Sequence, residues 1–404
     1  METLSLDEVA RQAGVEEDFV HRLVSLGAIS YPTEHRAAAR EVRRVRLLHA
    51  WDRAGIAPET IFGLIEQGAL SLAFLDSASI FPGTEDLDRS EETYADLCAE
   101  LNVSFELASG IQEALGFSPP GSGDRARVDD EKLIRLAKLF TEVGASEDAI
   151  LRLYRVYANS LRRMAQAEAE LFEAQIEGKF RSAGMTERQL MDFGNTFGER
   201  VRGLLEGSLL AVYRRHRQHI WIEHSTNHAE VALQQAGLRP QTQRLHTICF
   251  VDLTGYTRVT EERGDEVAAR LAGELSSLVE DISFRRDGRP IRWLGDGGMF
   301  LFRDPEAAVF AALEMNERAP EVGLPPTHIG IHSGPVVFQD GDVYGRTVNL
   351  ASRIASQAKA GQVLVSSSIK EVVDETVSFR PTGEFRLKNV SEPVVLFEAS
   401  RRPG

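Results

Sequence analysis

Near residue 240 the hydrophobic period of this chain changes, and that change limits the fold more than any other feature. From about residue 4 to residue 235 apolar side chains recur at helical spacing, as in Leu47, Leu48, Trp51 and Ala54, or Leu133, Leu136, Ala137 and Phe140. From Leu245 onward, short β-rich runs alternate with helical ones. Thr247–Val251, Pro290–Leu294, Gly298–Phe302, His328–His332 and Gln362–Val365 read as strands, and residues 258–283, 304–318 and 345–358 as helices. The expectation is a helical part followed by a mixed part, divided where Gly237 and Pro240 interrupt both patterns. A length of 404 residues suits two or three domains.

Charge and cysteine usage narrow the function classes. The net charge of −15 disfavours a protein that coats nucleic acid or lies on an anionic membrane. Two distant cysteines, Cys98 and Cys249, exclude a disulfide framework and suit a reducing cytoplasm. No apolar run approaches the ~20 residues of a membrane helix, and the first residues lack the basic start and apolar centre of a secretory leader.

The helical part contains a weak internal repeat. Residues 15–64 and 103–154 both run from a short helix–turn–helix, through a proline-containing loop, to a longer helix ending at a Gly, with an offset of 88 to 89 residues. Long helical stretches follow at about 146–177 and 186–235. The second holds His216, His219, His224 and His228. No Cys lies near them and no HExxH order appears, so a solvated basic–aromatic helix is the first reading and a pH-responsive segment the second.

The first copy resembles helix–turn–helix regulators of the MerR type through Ser5–Val15, Leu26–Ile29 and Val42–Arg46. Its candidate recognition helix opens with Glu16, Glu17 and Asp18, which phosphates would repel, so DNA binding is disfavoured.

The chemistry-bearing signals lie in the second part. In Phe250–Thr257 a strand delivers Asp252, and a small Gly-containing turn then opens a helix whose amides suit phosphate oxygens. In Trp293–Phe302 two strands flank Gly295–Gly298, which puts Asp296 on a hairpin turn. Carboxylates at neighbouring strand ends can bind Mg²⁺, although each Asp alone is a common turn residue. In Asp342–Arg353, Asn349 and Arg353 are four apart and share a helix face, as an ordinary polar surface pair would. Phe385–Pro393 is a basic turn between two strands.

Together, in this order and spacing, the four signals resemble the catalytic domain of class III adenylate/guanylate cyclases over about residues 244–400. The resemblance implies an α+β fold with a ferredoxin-like βαββαβ core, preceded by an all-α regulatory domain. It also implies a head-to-tail homodimer with composite sites. The helical part looks like the regulatory region of actinobacterial, mycobacterial-type cyclases, some gated by pH. The expected organisation is therefore a regulatory domain at 1–235, with MerR-like modules at about 1–75 and 95–155 and long connecting helices. A linker at 236–243 and a catalytic domain at 244–400 follow.

Carried over by position, Asp252 and Asp296 match the family's metal-binding aspartates. The Leu253 carbonyl and the Thr254, Gly255, Tyr256 and Thr257 amides fall where metal and phosphates are held. Two Mg²⁺ or Mn²⁺ ions per site are implied. Asn349 and Arg353 match the pair that orients the ribose and stabilises the transferring phosphorus. Lys388 falls near the triphosphate-binding lysine, with Asn389 replacing the glycine that usually follows. Asp342 matches the purine-selecting aspartate of adenylate cyclases. Arg292 stands where the family usually has Lys, a change from a point charge to a larger planar fork.

The implied function is a soluble, cytoplasmic adenylate cyclase. It would convert ATP into 3′,5′-cyclic AMP and pyrophosphate by in-line attack of the ribose 3′-hydroxyl, with a small molecule or pH acting on the N-terminal domain. The alternatives are a catalytically weak nucleotide sensor, which Arg292 would suit, and a guanylate cyclase.

Overall fold

A computed structural model describes residues 3–29, 37–38, 41–70, 89–238, 245–373, 376–388, 390 and 392–402. The chain forms two compact units, Met1–Ala229 and Glu230–Gly404.

The first unit is helical and repeats one element order. The first copy comprises β1 (Thr3–Leu4), α1 (Leu6–Ala13), α2 (Glu17–Ser25), β2 (Ala37–Ala38), α3 (Glu41–Arg53) and α4 (Pro58–Glu66). The second comprises β3 (Arg89–Thr93), α5 (Tyr94–Leu101), α6 (Phe105–Leu115), β4 (Arg125–Arg127), α7 (Val128–Glu142) and α8 (Glu147–Phe172). Each copy has its own core, around Val9, Leu23 and Leu48 in the first and Leu97, Ile111 and Ile134 in the second. Local sequence sets the helix ends. Ser5 and Glu8 form a capping box at α1, which Gly14 closes at φ 72°. The short antiparallel pairs β1–β2 and β3–β4 add two ribbons to the helical reading. Their few residues carry no period-2 signal, so sequence pattern misses them. The end expected for the first module, residue 75, lies outside the described residues.

After α8 a π-helical turn, Glu173–Glu177, leads through α9 (Gly178–Ser182) to α10 (Glu187–Gln235), 49 residues long. The boundary between the compact units falls inside α10. The histidine-rich stretch lies on its exposed surface, where the His224 and His228 Nε2 atoms are 3.0 Å apart. From residue 239 onward, the linker expected at 236–243 lies outside the described residues.

The second unit opens with β5 (His246–Leu253), α11 (Tyr256–Arg263), α12 (Asp265–Phe284), β6 (Arg289–Trp293), β7 (Gly297–Phe302), α13 (Pro305–Glu321) and β8 (Thr327–Gly334). It continues with β9 (Val337–Gln339), β10 (Asp342–Tyr344), α14 (Arg346–Ala355), β11 (Val363–Ser366), α15 (Ser367–Lys370), β12 (Val377–Phe385) and β13 (Val394–Arg401). One seven-stranded sheet runs β12-β13-β11-β8-β5-β7-β6. Its β8-β5-β7-β6 portion is the antiparallel ferredoxin-like order, extended by β11, β13 and β12. The single helix expected at 258–283 is two, because Gly264 at φ 85° ends α11 before Asp265 begins α12.

β5 is an interior strand, between β8 and β7, and has apolar side chains on both faces. Cys249, Val251 and Leu253 join the core with α12 and α13, while Ile248 joins the core with Ala351 of α14. Thus α14 packs on the face opposite α12 and α13. Its approach is close, since a Cβ on Gly330 of β8 would lie 2.1 Å from the Ala355 amide nitrogen. Only glycine lets that helix reach its place.

Candidate functional site

Two polar clusters form in the second unit. The first lies where β5 ends. Asp252 pairs in register with Gly297 of β7, next to Asp296 in the β6–β7 turn, and the Leu253 amide donates to the Asp296 carbonyl at 3.0 Å. The hairpin therefore brings a second carboxylate to the first. Burial, and then the neighbouring Asp296 charge, push the Asp252 carboxyl up to about 6. Gly297 makes the approach feasible, because a Cβ there would lie 2.6 Å from the Val251 carbonyl oxygen and 2.8 Å from Asp252 Oδ1.

This donor set is all oxygen: two carboxylates with the Leu253 carbonyl beside them. Hard divalent cations such as Mg²⁺ or Mn²⁺ prefer such donors, and a like-charged pair held together is eased by a cation between them. The residues fit the expected metal.

His328 belongs to this cluster, and sequence reading missed it. It lies opposite Asp252 on β8, with Nε2 3.5 Å from Asp252 Oδ2 and Nδ1 3.4 Å from the Thr254 hydroxyl. Burial lowers its pKa, with Asp296 opposing. No local motif marks it; only the β5–β8 register does.

The turn after Asp252 is built as expected, with one difference. The Thr254 amide donates to the Pro326 carbonyl at 2.9 Å, so it is committed within the fold. Gly255, at φ 77°, precedes the first turn of α11, where the Tyr256 and Thr257 amides lack intrahelical acceptors. Tyr256 packs its ring against the core and Thr257 is exposed.

The second cluster joins β6 to β10. Arg292 donates through Nη2 to Asp342 Oδ2, and the Val343 amide donates to Asp342 Oδ1 at 2.7 Å. The Arg292 guanidinium also lies over the Tyr344 ring, 5.7 Å from its centroid.

Asn349 and Arg353 share one face of α14, the first exposed and the second half-buried, while Leu350 and Ile354 are buried. Lys388 is exposed in the turn after β12, beside buried Leu387. Among the described residues, no hydrogen bond or ion pair joins Lys388, Asn349 or Arg353 to either cluster. The structure brings together Asp252, Leu253, Thr254 and Asp296, and separately Arg292 and Asp342.

Residues 238–397 match the family of the adenylate and guanylate cyclase catalytic domain. The pH-sensitive adenylate cyclase of Mycobacterium tuberculosis is 27% identical over 319 residues, 76% of this chain and 77% of that protein. An adenylate cyclase of Streptomyces coelicolor is 29% identical over 275 residues, 68% and 69% respectively. Among solved structures, the adenylyl cyclase CyaB of P. aeruginosa is 24% identical at TM-score 0.37, covering 39% of this chain and 95% of that one. The guanylyl cyclase Cya2 is 27% identical at TM-score 0.36, covering 39% and 91%.

Proposed function

We propose, from the premise that residues 238–397 are a class III adenylate cyclase catalytic domain, that this chain converts ATP into 3′,5′-cyclic AMP and pyrophosphate. The observation that carries the reading is the juxtaposed Asp252 and Asp296 at the end of β5, a pair of hard oxygen ligands beside a phosphate-suited helix start.

In the reaction the ribose 3′-oxygen forms a bond to the α-phosphorus, the bond to the β-phosphate bridging oxygen breaks, and the hydroxyl proton is released. When bound, two divalent ions would lower the hydroxyl's pKa and offset triphosphate charge. Asp252, Asp296 and the Leu253 carbonyl would hold them. The amides at Gly255–Thr257 would receive phosphate oxygens, and Thr254 would shape that turn through its Pro326 bond. Asn349 would orient the ribose, a positional contribution. Arg353 would meet charge growing on the phosphorus, an electrostatic contribution made mainly in the transition state. Lys388 would reach the triphosphate.

Asp342 would accept from the adenine amino group while Arg292 donates to a ring nitrogen. The Arg292–Asp342 ion pair supports one shared base-reading unit. A second reading, turnover of GTP, is favoured by Arg292 alone, since a guanidinium can donate to guanine O6 and N7 together.

The two halves of each site would come from two chains of a homodimer. Residues 1–235 would regulate their alignment through α10, which leads from the first unit into the second. Product analysis of the purified full chain with ATP or GTP, and with Mg²⁺ or Mn²⁺, tests the reading. Cyclic AMP is expected; ATP binding without turnover would support a sensor instead.

A further inference from the structure

We propose that Tyr344 sets the purine preference of this domain by holding the Arg292 guanidinium in one plane beside Asp342. This rests on the assignment of Arg292 and Asp342 to the base. Tyr344 would be a positioning residue, acting through Arg292.

The strand geometry explains why these side chains meet. Asp342 and Tyr344 are two apart on β10, so they leave the strand on one side. Val343 between them is 1% exposed and anchors the strand from the other side, in the core with Ile248 and Met299. Both outward side chains reach Arg292: Asp342 takes one terminal nitrogen, and the Tyr344 ring lies under the guanidinium carbon. The Asp342 carboxylate is itself fixed by the Val343 amide. Arg292 is 40% exposed, and these two contacts hold its guanidinium.

A lysine here would be attracted to such a ring but not oriented by it, because an ammonium has no plane. A guanidinium has five N–H donors in one plane, and a carboxylate on one edge plus an aromatic face below fixes where the others point. Held so, the unit presents a donor from Arg292 beside an acceptor from Asp342. Adenine matches that order with its N1 acceptor and amino donor. Guanine reverses it, with acceptor O6 beside donor N1–H. If the guanidinium swings free of the ring, it can turn two donors toward guanine O6 and N7 and admit that base.

The test uses the full chain and compares kcat/KM for ATP and for GTP. Tyr344→Leu keeps apolar bulk but removes the π face, and it is expected to lower the ATP-over-GTP ratio about three- to fivefold, mainly through KM. Tyr344→Phe keeps the face and is expected to keep the parent ratio. With Arg292→Lys in place, Tyr344→Leu is expected to change the ratio less than twofold, because the coupled partner is gone. A role in folding alone would lower both substrates together. An unchanged ratio in Tyr344→Leu, alongside a lowered ratio in Asp342→Ala, would overturn the proposal while leaving the base site intact. An unchanged ratio in Asp342→Ala as well would overturn the base assignment and this proposal with it. Should Tyr344→Leu not fold, Tyr344→Met and Tyr344→Phe decide: an unchanged ratio in Tyr344→Met, or loss of preference in Tyr344→Phe, overturns it.

Discussion

Asp252 is a carboxylate whose surroundings disfavour its charge. It is half-buried and shares its position with a second carboxylate, which raises the pKa of its carboxyl group. Replacing it with Asn keeps shape and removes charge. Asp252→Asn is expected to lose at least about a hundredfold in metal-dependent cyclase activity, since a ligand and its charge are gone. Its melting temperature should stay equal or rise, because the repulsion on Asp296 is gone too. Parent-like turnover in a folded Asp252→Asn would remove the metal assignment. Arg353 makes a separate prediction. Arg353→Ala should lower kcat by about a hundredfold or more with a smaller change in KM, as loss of a transition-state contact does. An effect confined to KM would move Arg353 to ground-state binding.

At the scale of elements, α14 and β8 decide where Asn349 and Arg353 stand. Gly330→Ala would push a methyl into the Ala355 backbone. We expect about 1–3 kcal/mol of destabilisation from overpacking, with cyclase activity falling further than stability alone accounts for. Denaturant melts and turnover on the same sample separate the two. β8 also ties to β11 through His332, whose Nδ1 lies 2.7 Å from the Ser366 hydroxyl and 3.2 Å from that of Ser368. Burial, and then Arg346, push His332 down to about 4. Between that pH and about 6.5, the ordinary histidine value, the unfolded chain binds a proton that the folded one does not. The His332 contribution is therefore full above about 6.5 and declines as pH falls toward 4, by about 3 kcal/mol at most. Asp252 acts in the opposite sense over part of this window, so the readout is the difference between parent and His332→Asn in unfolding free energy against pH. Parallel curves would refute the linkage.

The same elements show what a sequence discloses. Long periodic helices and the β-rich run of β5 were legible, and so were the candidate aspartates, because each sits at a strand end or turn with local chemistry. The ribbons β1–β2 and β3–β4 were not, being too short to show a period. His328 and Tyr344 were not either. Each acquires a meaning only when a neighbouring strand places it against Asp252 or Arg292, which is long-range information.

For the whole molecule, the open matter is how a helical unit bears on a catalytic one. Each unit has its own core, so each has the means to hold its fold separately. The covalent route between them is α10, whose exposed apolar side chains include Leu204, Trp221 and Ile222. An apolar surface of that kind calls for a partner, and a second copy is the partner that the proposed composite sites would require. The full chain is therefore expected to be a dimer by analytical ultracentrifugation. If α10 governs how two catalytic units align, small changes in it would alter rate, because a site shared between chains tolerates little misplacement. His216, His219, His224 and His228 are exposed on that helix. Comparing the full chain with residues 240–404 across pH 5–8 is the direct measurement. The expected result is a pH profile for the full chain that residues 240–404 lack, with rates differing at one end of the range at least. Identical profiles and identical rates in two folded, dimeric samples would remove regulation from residues 1–235 and leave them a structural role.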